Sequence, residues 1–154
     1  MATADGSLEQ TIEQDIKTAM LGGDALRLST LRVLKGALLN VKVATGKRES
    51  GLSDDEVLSV LAKAAKQRQE SADLYLQGND QVRADQELAE KAILEAYLPA
   101  QLSEAEISEL ISEVMASTGN DKGAMGQIIG QVKQRAGSTA DGALIARLVK
   151  ERLQ

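Results

Sequence analysis

The chain contains no histidine and no cysteine, a single proline (Pro99), and only two aromatic side chains, Tyr75 and Tyr97. Without thiol or imidazole there is no cysteine nucleophile, no Ser-His-Asp triad, no imidazole base and no zinc site of the usual ligand set. No glycine-rich phosphate loop of Walker or dinucleotide type occurs. A Ser-Lys pair, a carboxylate dyad or an all-oxygen metal site stays open in principle. The expectation is nonetheless that the chain alone is not an enzyme, with no catalytic residue, cofactor, metal or small-molecule substrate to assign. No apolar run approaches the roughly 18 to 20 residues of a membrane span. The opening Met1-Ala2-Thr3-Ala4-Asp5-Gly6 lacks the charged and apolar regions of an export signal. A soluble, cytoplasmic protein with no membrane partner is expected.

What is present is aliphatic. Of the 154 residues, 43% are hydrophobic and 1% aromatic, so the core must be built of Leu, Ile, Val and Ala. The β-branched, aromatic-rich alternation of strands is missing, and an all-α fold follows. Ser7 with Gln10, Ser53 with Glu56 and Ser103 with Glu106 each have the spacing of a capping box, and Asp24 has the chemistry of an N-cap. They predict a first helix ending at Gly22-Gly23, a second running to about Ala44, and a third ending at Gly78. A fourth spans about Gln81 to Tyr97. On the second helix Leu31, Leu34, Leu38 and Val41 form an apolar stripe, and Ser29, Val33, Gly36 and Asn40 line the opposite side. Gly36 costs roughly 1 kcal/mol against alanine in a helix, so a second helix packed closely on that side is expected. The third helix aligns Val57, Leu61, Ala64, Ala72 and Tyr75, with Arg68 in their midst and Lys63, Lys66 and Glu70 pointing away.

Pro99 punctuates the chain. It disfavours helical geometry at Leu98, and Ser103 opens a new helix shortly after. The expected organisation is a four-helix, bundle-like N-terminal domain over 1–98 and a small three-helix C-terminal domain over 99–154. The three shorter helices are about Ser103–Ser117, Lys122–Ala136 and Asp141–Leu153. On the middle one, Met125, Ile129, Val132 and Ala136 share a face. Gly126, Gly130 and Gly137 line an adjacent strip with Lys133, where they serve either tight packing inside the domain or a flat surface for an RNA backbone.

The formal net charge is −5, which argues against nonspecific nucleic-acid binding. Its distribution is uneven. From Lys122 to the end stand Lys122, Lys133, Arg135, Arg147, Lys150 and Arg152 against only Asp141 and Glu151. This is either a solvated face or a small anion-facing patch. Arg27 and Arg32 lie early in their helix, against the dipole, so each calls for an internal carboxylate or an external anion. Arg68 on an apolar stripe calls for a buried carboxylate, with Glu87 and Glu90 as candidates, or else marks an anion contact in a cleft.

Five segments in order resemble the GatB/YqeY-like family across nearly the whole chain. They are Arg27-Leu28-Ser29-Thr30-Leu31-Arg32 with Asn40; Lys63 and Lys66-Gln67-Arg68-Gln69-Glu70-Ser71 with Tyr75; Glu87, Glu90 and Ile93; Tyr97-Leu98-Pro99-Ala100-Gln101-Leu102-Ser103; and Met125-Gly126 with Ala140-Asp141-Gly142. The length is similar to that of the free-standing YqeY-like branch. The resemblance implies an all-helical fold in which Arg68, Glu90, Pro99, Gly126, Gly130, Asp141 and Gly142 are structural motif positions. A similar region forms the tail of the GatB subunit of glutamine-dependent aminoacyl-tRNA amidotransferase, a carbon–nitrogen ligase, where it helps hold the tRNA. The implied role is a noncatalytic tRNA-binding or adaptor protein whose partner is tRNA or a tRNA-handling assembly. The contact candidates are Arg27, Arg32, Lys63, Lys66, Lys133, Arg135, Arg147 and Lys150. The family pattern often has an arginine after Gly78 and a cation before Asp141-Gly142. Here Asn79-Asp80 and Ser138-Thr139-Ala140 stand instead, so two positive charges are missing where RNA contact would be sought. A helical protein–protein interaction module with no RNA contact is the alternative.

Overall fold

A computed structural model describes residues 7–154; Met1–Gly6, read above as lacking an export signal, lies outside the described residues. All regular secondary structure among the described residues is helical. The α-helices are α1 (Leu8–Gly22), α2 (Ala25–Thr45), α3 (Asp54–Gln77), α4 (Gln81–Glu95), α5 (Glu104–Thr118), α6 (Met125–Ala136) and α7 (Gly142–Arg152). Single 3-10 turns occupy Lys122–Ala124 and Gly137–Thr139. Tertiary contacts divide the chain into two compact units, the first ending at Leu98 and the second running Pro99–Gln154.

The helix starts follow from local chemistry. Ser7, Ser53 and Ser103 each accept a hydrogen bond from the backbone N–H three residues on. Gln10, Glu56 and Glu106 reach back to the cap N–H, so two orphan donors are satisfied at each start. Asp24, Asp80 and Asp141 cap α2, α4 and α7. The α3–α4 connection is closed by Asn79, the one non-glycine described residue with positive φ (59°). Asparagine tolerates that region better than most side chains. Turn geometry thus gives Asn79 a structural use.

In the first unit Ile12 and Ile16 of α1, Leu31, Leu34 and Leu38 of α2, Leu52 just before α3, Val57, Leu61 and Ala65 of α3, and Leu94 of α4 form one buried cluster. Tyr97 packs against it, and its hydroxyl donates to Asp15 of α1. Helix α4 ends at Glu95 rather than Tyr97, because the backbone tightens into i→i+3 bonds, Leu94 to Tyr97 and Glu95 to Leu98, ahead of Pro99. The second unit buries Ile107, Ile111 and Val114 of α5, Ile128, Val132 and Ala136 of α6, and Ile145, Leu148 and Val149 of α7 with Leu153. Its middle helix begins at Met125, later than expected, because Asp121 holds a separate 3-10 turn by accepting from the Gly123 N–H. Ile128 and Val132 are its fully buried residues; of the expected shared face Val132 and Ala136 lie in the core, while Met125 and Ile129 flank it.

The expectation that α2 is contacted on both sides is corrected. Ser29, Val33, Gly36 and Asn40 are exposed, Val33 at 69%. Ser29 donates to Leu26 O of its own helix, and a methyl group at Gly36 would meet no atom within 4 Å. Helix α2 packs on α1, α3 and α4 through its other side. Gly36→Ala is therefore expected to raise stability by about 0.5–1 kcal/mol, through helix propensity alone. Chemical denaturation of the two proteins measures the difference.

Two titrating contacts give the first unit a pH signature. The Glu56 carboxyl lies below its ordinary value of 4.5, chiefly because Lys47 donates to it and then because it caps the Ser53 backbone. A depressed carboxyl stabilises above its unfolded pKa and loses that contribution as pH falls. Burial first, and the Asp15 hydrogen bond second, push the Tyr97 phenol above its ordinary value of 10.0; that contribution is present below this value and lost as pH rises past it. The melting temperature is expected to fall at both extremes, with Tyr97→Phe flattening the alkaline limb; circular dichroism melts across pH measure both.

Candidate functional site

Two surfaces bring candidate residues together, one in each unit. In the first, α2 stands away from the α3–α4 pair along part of its length and leaves a groove of about 210 Å3. Val33, Leu34 and Ala37 of α2, Ala64 of α3 and Leu94 of α4 make its apolar walls, with Ser29 and Thr30 at one side. Its polar end is Gln67, Arg68 and Glu90. Arg68 Nη1 lies 3.2 Å from Glu87 Oε2 and 3.3 Å from Glu90 Oε2, so one guanidinium sits between the two carboxylates named from the sequence. All three side chains are largely withdrawn from water, at 32%, 17% and 16% exposure. Further along the hairpin the Arg83 guanidinium stands 5.8 Å over the Tyr75 ring.

Several residues read as binding candidates are otherwise engaged. Arg27 pairs with the cap Asp24 at 3.4 Å, an internal answer to its unfavourable place in the dipole. Arg32 donates to the Met20 sulfur, at 3.9 Å. Lys63 and Lys66 are exposed on α3.

The second surface is the outer face of α6 and α7. Gly126, Gly130 and Gly137 are exposed, and a methyl group on any of them would meet nothing within 4 Å. The reading of this strip as tight internal packing is thereby corrected: the glycines face open space. Lys133 belongs to the same strip, and its stem lies across the start of α7, with Cε 2.9 Å from where a Cβ on Gly142 would stand. Gly142 is thus the residue that lets the lysine cross. Among the described residues, no carboxylate forms an ion pair with Lys133 or Lys150. Arg135 pairs with Glu113 at 3.5 Å, and Arg147 pairs with Glu104 at 2.9 Å and Glu151 at 3.0 Å. Arg152 donates to Ser108 O and Ser112 Oγ. The cation excess of the last two helices is therefore partly neutralised by α5, which the linear charge count could not show.

Sequence reasoning missed the groove itself, and with it Val33, Ala37 and Gln67. The available signal was an exposed valine beside glycine on α2, but only the packing of α2 tells which side stays empty. Among the described residues no cluster of three or more acidic, His or Cys side chains could hold a metal, and no helix is long and apolar enough to cross a membrane.

No curated protein matches the sequence. The family model of YqeY-like proteins matches residues 9–153. It takes in both units and both surfaces, and the chain belongs to the YqeY-like protein family.

Proposed function

We propose that the protein is a noncatalytic adaptor that holds tRNA, or a tRNA-handling assembly, through the outer face of α6 and α7. The observation that carries this reading is the open glycine face of α6, where Gly126 and Gly130 lie beside Lys133, a cation with no carboxylate partner among the described residues. Gly130, interior to α6, costs helix stability of roughly 1 kcal/mol and gains no internal packing in return, and Gly126 in the first turn is equally open. A bare helix surface flanked by cations suits close approach of a phosphodiester backbone, with Lys133 and Lys150 as the phosphate contacts. Arg135 and Arg147, held by Glu113, Glu104 and Glu151, contribute less. All the large hydrophobic side chains recorded as exposed belong to the first unit, which leaves the second with the more polar surface.

The test is the double variant Lys133→Glu/Lys150→Glu against total tRNA, followed by fluorescence anisotropy. Binding is expected to weaken at least roughly tenfold, about 1.4 kcal/mol, with the melting temperature unchanged. Arg147→Ala is expected to change affinity by less than about threefold, since its charge is already paired. Equal binding by the double variant and the wild type would overturn the assignment. The second reading, a protein-interaction module that touches no RNA, is supported by those same internal ion pairs. No binding to tRNA by the wild-type chain would favour it.

A further inference from the structure

We propose that the side chain of Gln101 is a strap that limits the freedom of the joint between the two units. Tertiary contacts divide the chain between Leu98 and Pro99, and the backbone is anchored on either side. Toward the first unit, Tyr97 and Leu98 pack against its core, and the Leu98 N–H donates to Glu95 O at 3.0 Å. Toward the second unit, Leu102 packs against the other core, and its N–H donates to Thr139 O at 2.8 Å. Between these anchors stand Pro99, Ala100 and Gln101, all exposed. The Gln101 side-chain amide closes this interval. Its nitrogen donates to Pro99 O at 3.2 Å and to Ser138 O at 3.0 Å. A primary amide carries two N–H groups, so both bonds are made at once.

The torsions left free follow from the residue types. The proline ring fixes its own φ and holds Leu98 to extended backbone. With the strap closed, the Pro99 carbonyl is tied to the second unit, and turning is confined to the narrow range of Leu98 ψ. With the strap open, Pro99 ψ and both torsions of Ala100 and Gln101 are added. The acceptors come from the 3-10 turn Gly137–Thr139, where Ser138 and Thr139 present successive carbonyls to the linker. That turn starts on Gly137 at a φ of 57°, which favours glycine, and the Thr139 hydroxyl pins it by donating to Ala136 O. The uncharged Ser138-Thr139 stretch thus serves the linker through its backbone. Both strap bonds are open to solvent, where water competes for the same donors and acceptors, so the strap can open without unfolding either unit.

The test uses amide relaxation in the isotope-labelled full chain. Wild type is compared with Gln101→Ala, which removes the strap, and Gln101→Glu, which keeps its size but has no N–H to donate. Backbone order parameters at Ala100 and Gln101 are expected at about 0.85 in the wild type and below about 0.6 in both variants. The Gln101 side-chain amide is expected to be more ordered than that of Gln134, which is exposed on α6. In a dilute aligning medium, residual dipolar couplings of the second unit are expected to shrink relative to those of the first in both variants. Gln101 is exposed, so amide dispersion for α5, α6 and α7 should match the wild type and show that the unit remains folded. Order at Ala100 and Gln101 that is already low in the wild type, or that survives in either variant, would overturn the proposal. So would dipolar couplings that neither substitution changes. Failure here leaves the tRNA reading untouched, because none of these measurements involves RNA.

Discussion

Ile111→Ala is expected to unfold the second unit while the first stays folded. Ile111 is fully buried between Ile107 and Val114 on α5, at the centre of a unit with only ten core residues and no aromatic side chain. Truncating a buried isoleucine costs about 2–5 kcal/mol, the removed transfer energy plus the cavity left behind. A segment of this size commonly has only about 3–5 kcal/mol to lose. The first unit keeps its own cluster around Leu31, Leu34 and Leu61. Amide spectra of the variant should therefore lose dispersion for residues after Pro99 and keep it before. Leu61→Ala is the mirror experiment. A single cooperative transition in which either substitution melts both units would show that the contact-defined units do not fold as separate domains.

Arg68→Ala is expected to destabilise the first unit by about 2–3 kcal/mol. Removing the guanidinium leaves Glu87 and Glu90 facing each other with neither charge compensated, and stranding a buried charge is far more costly than the pair itself is stabilising. The figure is set below that for a fully buried pair because Arg68 keeps 32% of its side-chain surface in water. Arg68→Ala with Glu87→Gln and Glu90→Gln should recover much of the loss, since no stranded charge remains. Urea denaturation of the single and triple variants distinguishes this from simple loss of packing, in which the triple variant would be no more stable than the single.

Much of the fold was legible because its signals are local. The serine–glutamine and serine–glutamate spacings at Ser7, Ser53 and Ser103 mark helix starts by hydrogen bonds that close within four residues. Arg68 with its two carboxylates was legible because a charge on an apolar stripe demands a partner, and α4 offers few. What escaped was set by packing between helices. Gly36, Gly126 and Gly130 are small in any reading of the sequence, but whether a small residue admits a neighbouring helix or faces open space depends on elements distant in the chain. The same holds for the basic tail: the linear count saw an excess of cations, while Glu104 and Glu113 of α5 come back to pair with Arg147 and Arg135. Local chemistry names the residues, and tertiary contacts decide which of them remain available.

These availabilities set the strength of the proposed RNA contact. With Lys133 and Lys150 as the main open cations on the α6–α7 face, only two or three phosphates can be neutralised. The measurement that tests this most directly is the affinity of the intact chain for total tRNA from about 50 to 200 mM salt. The expected result is binding that weakens with salt at a log–log slope of about −2, roughly 16-fold across that range. No binding at the lowest salt, or binding that salt leaves unchanged, would contradict it.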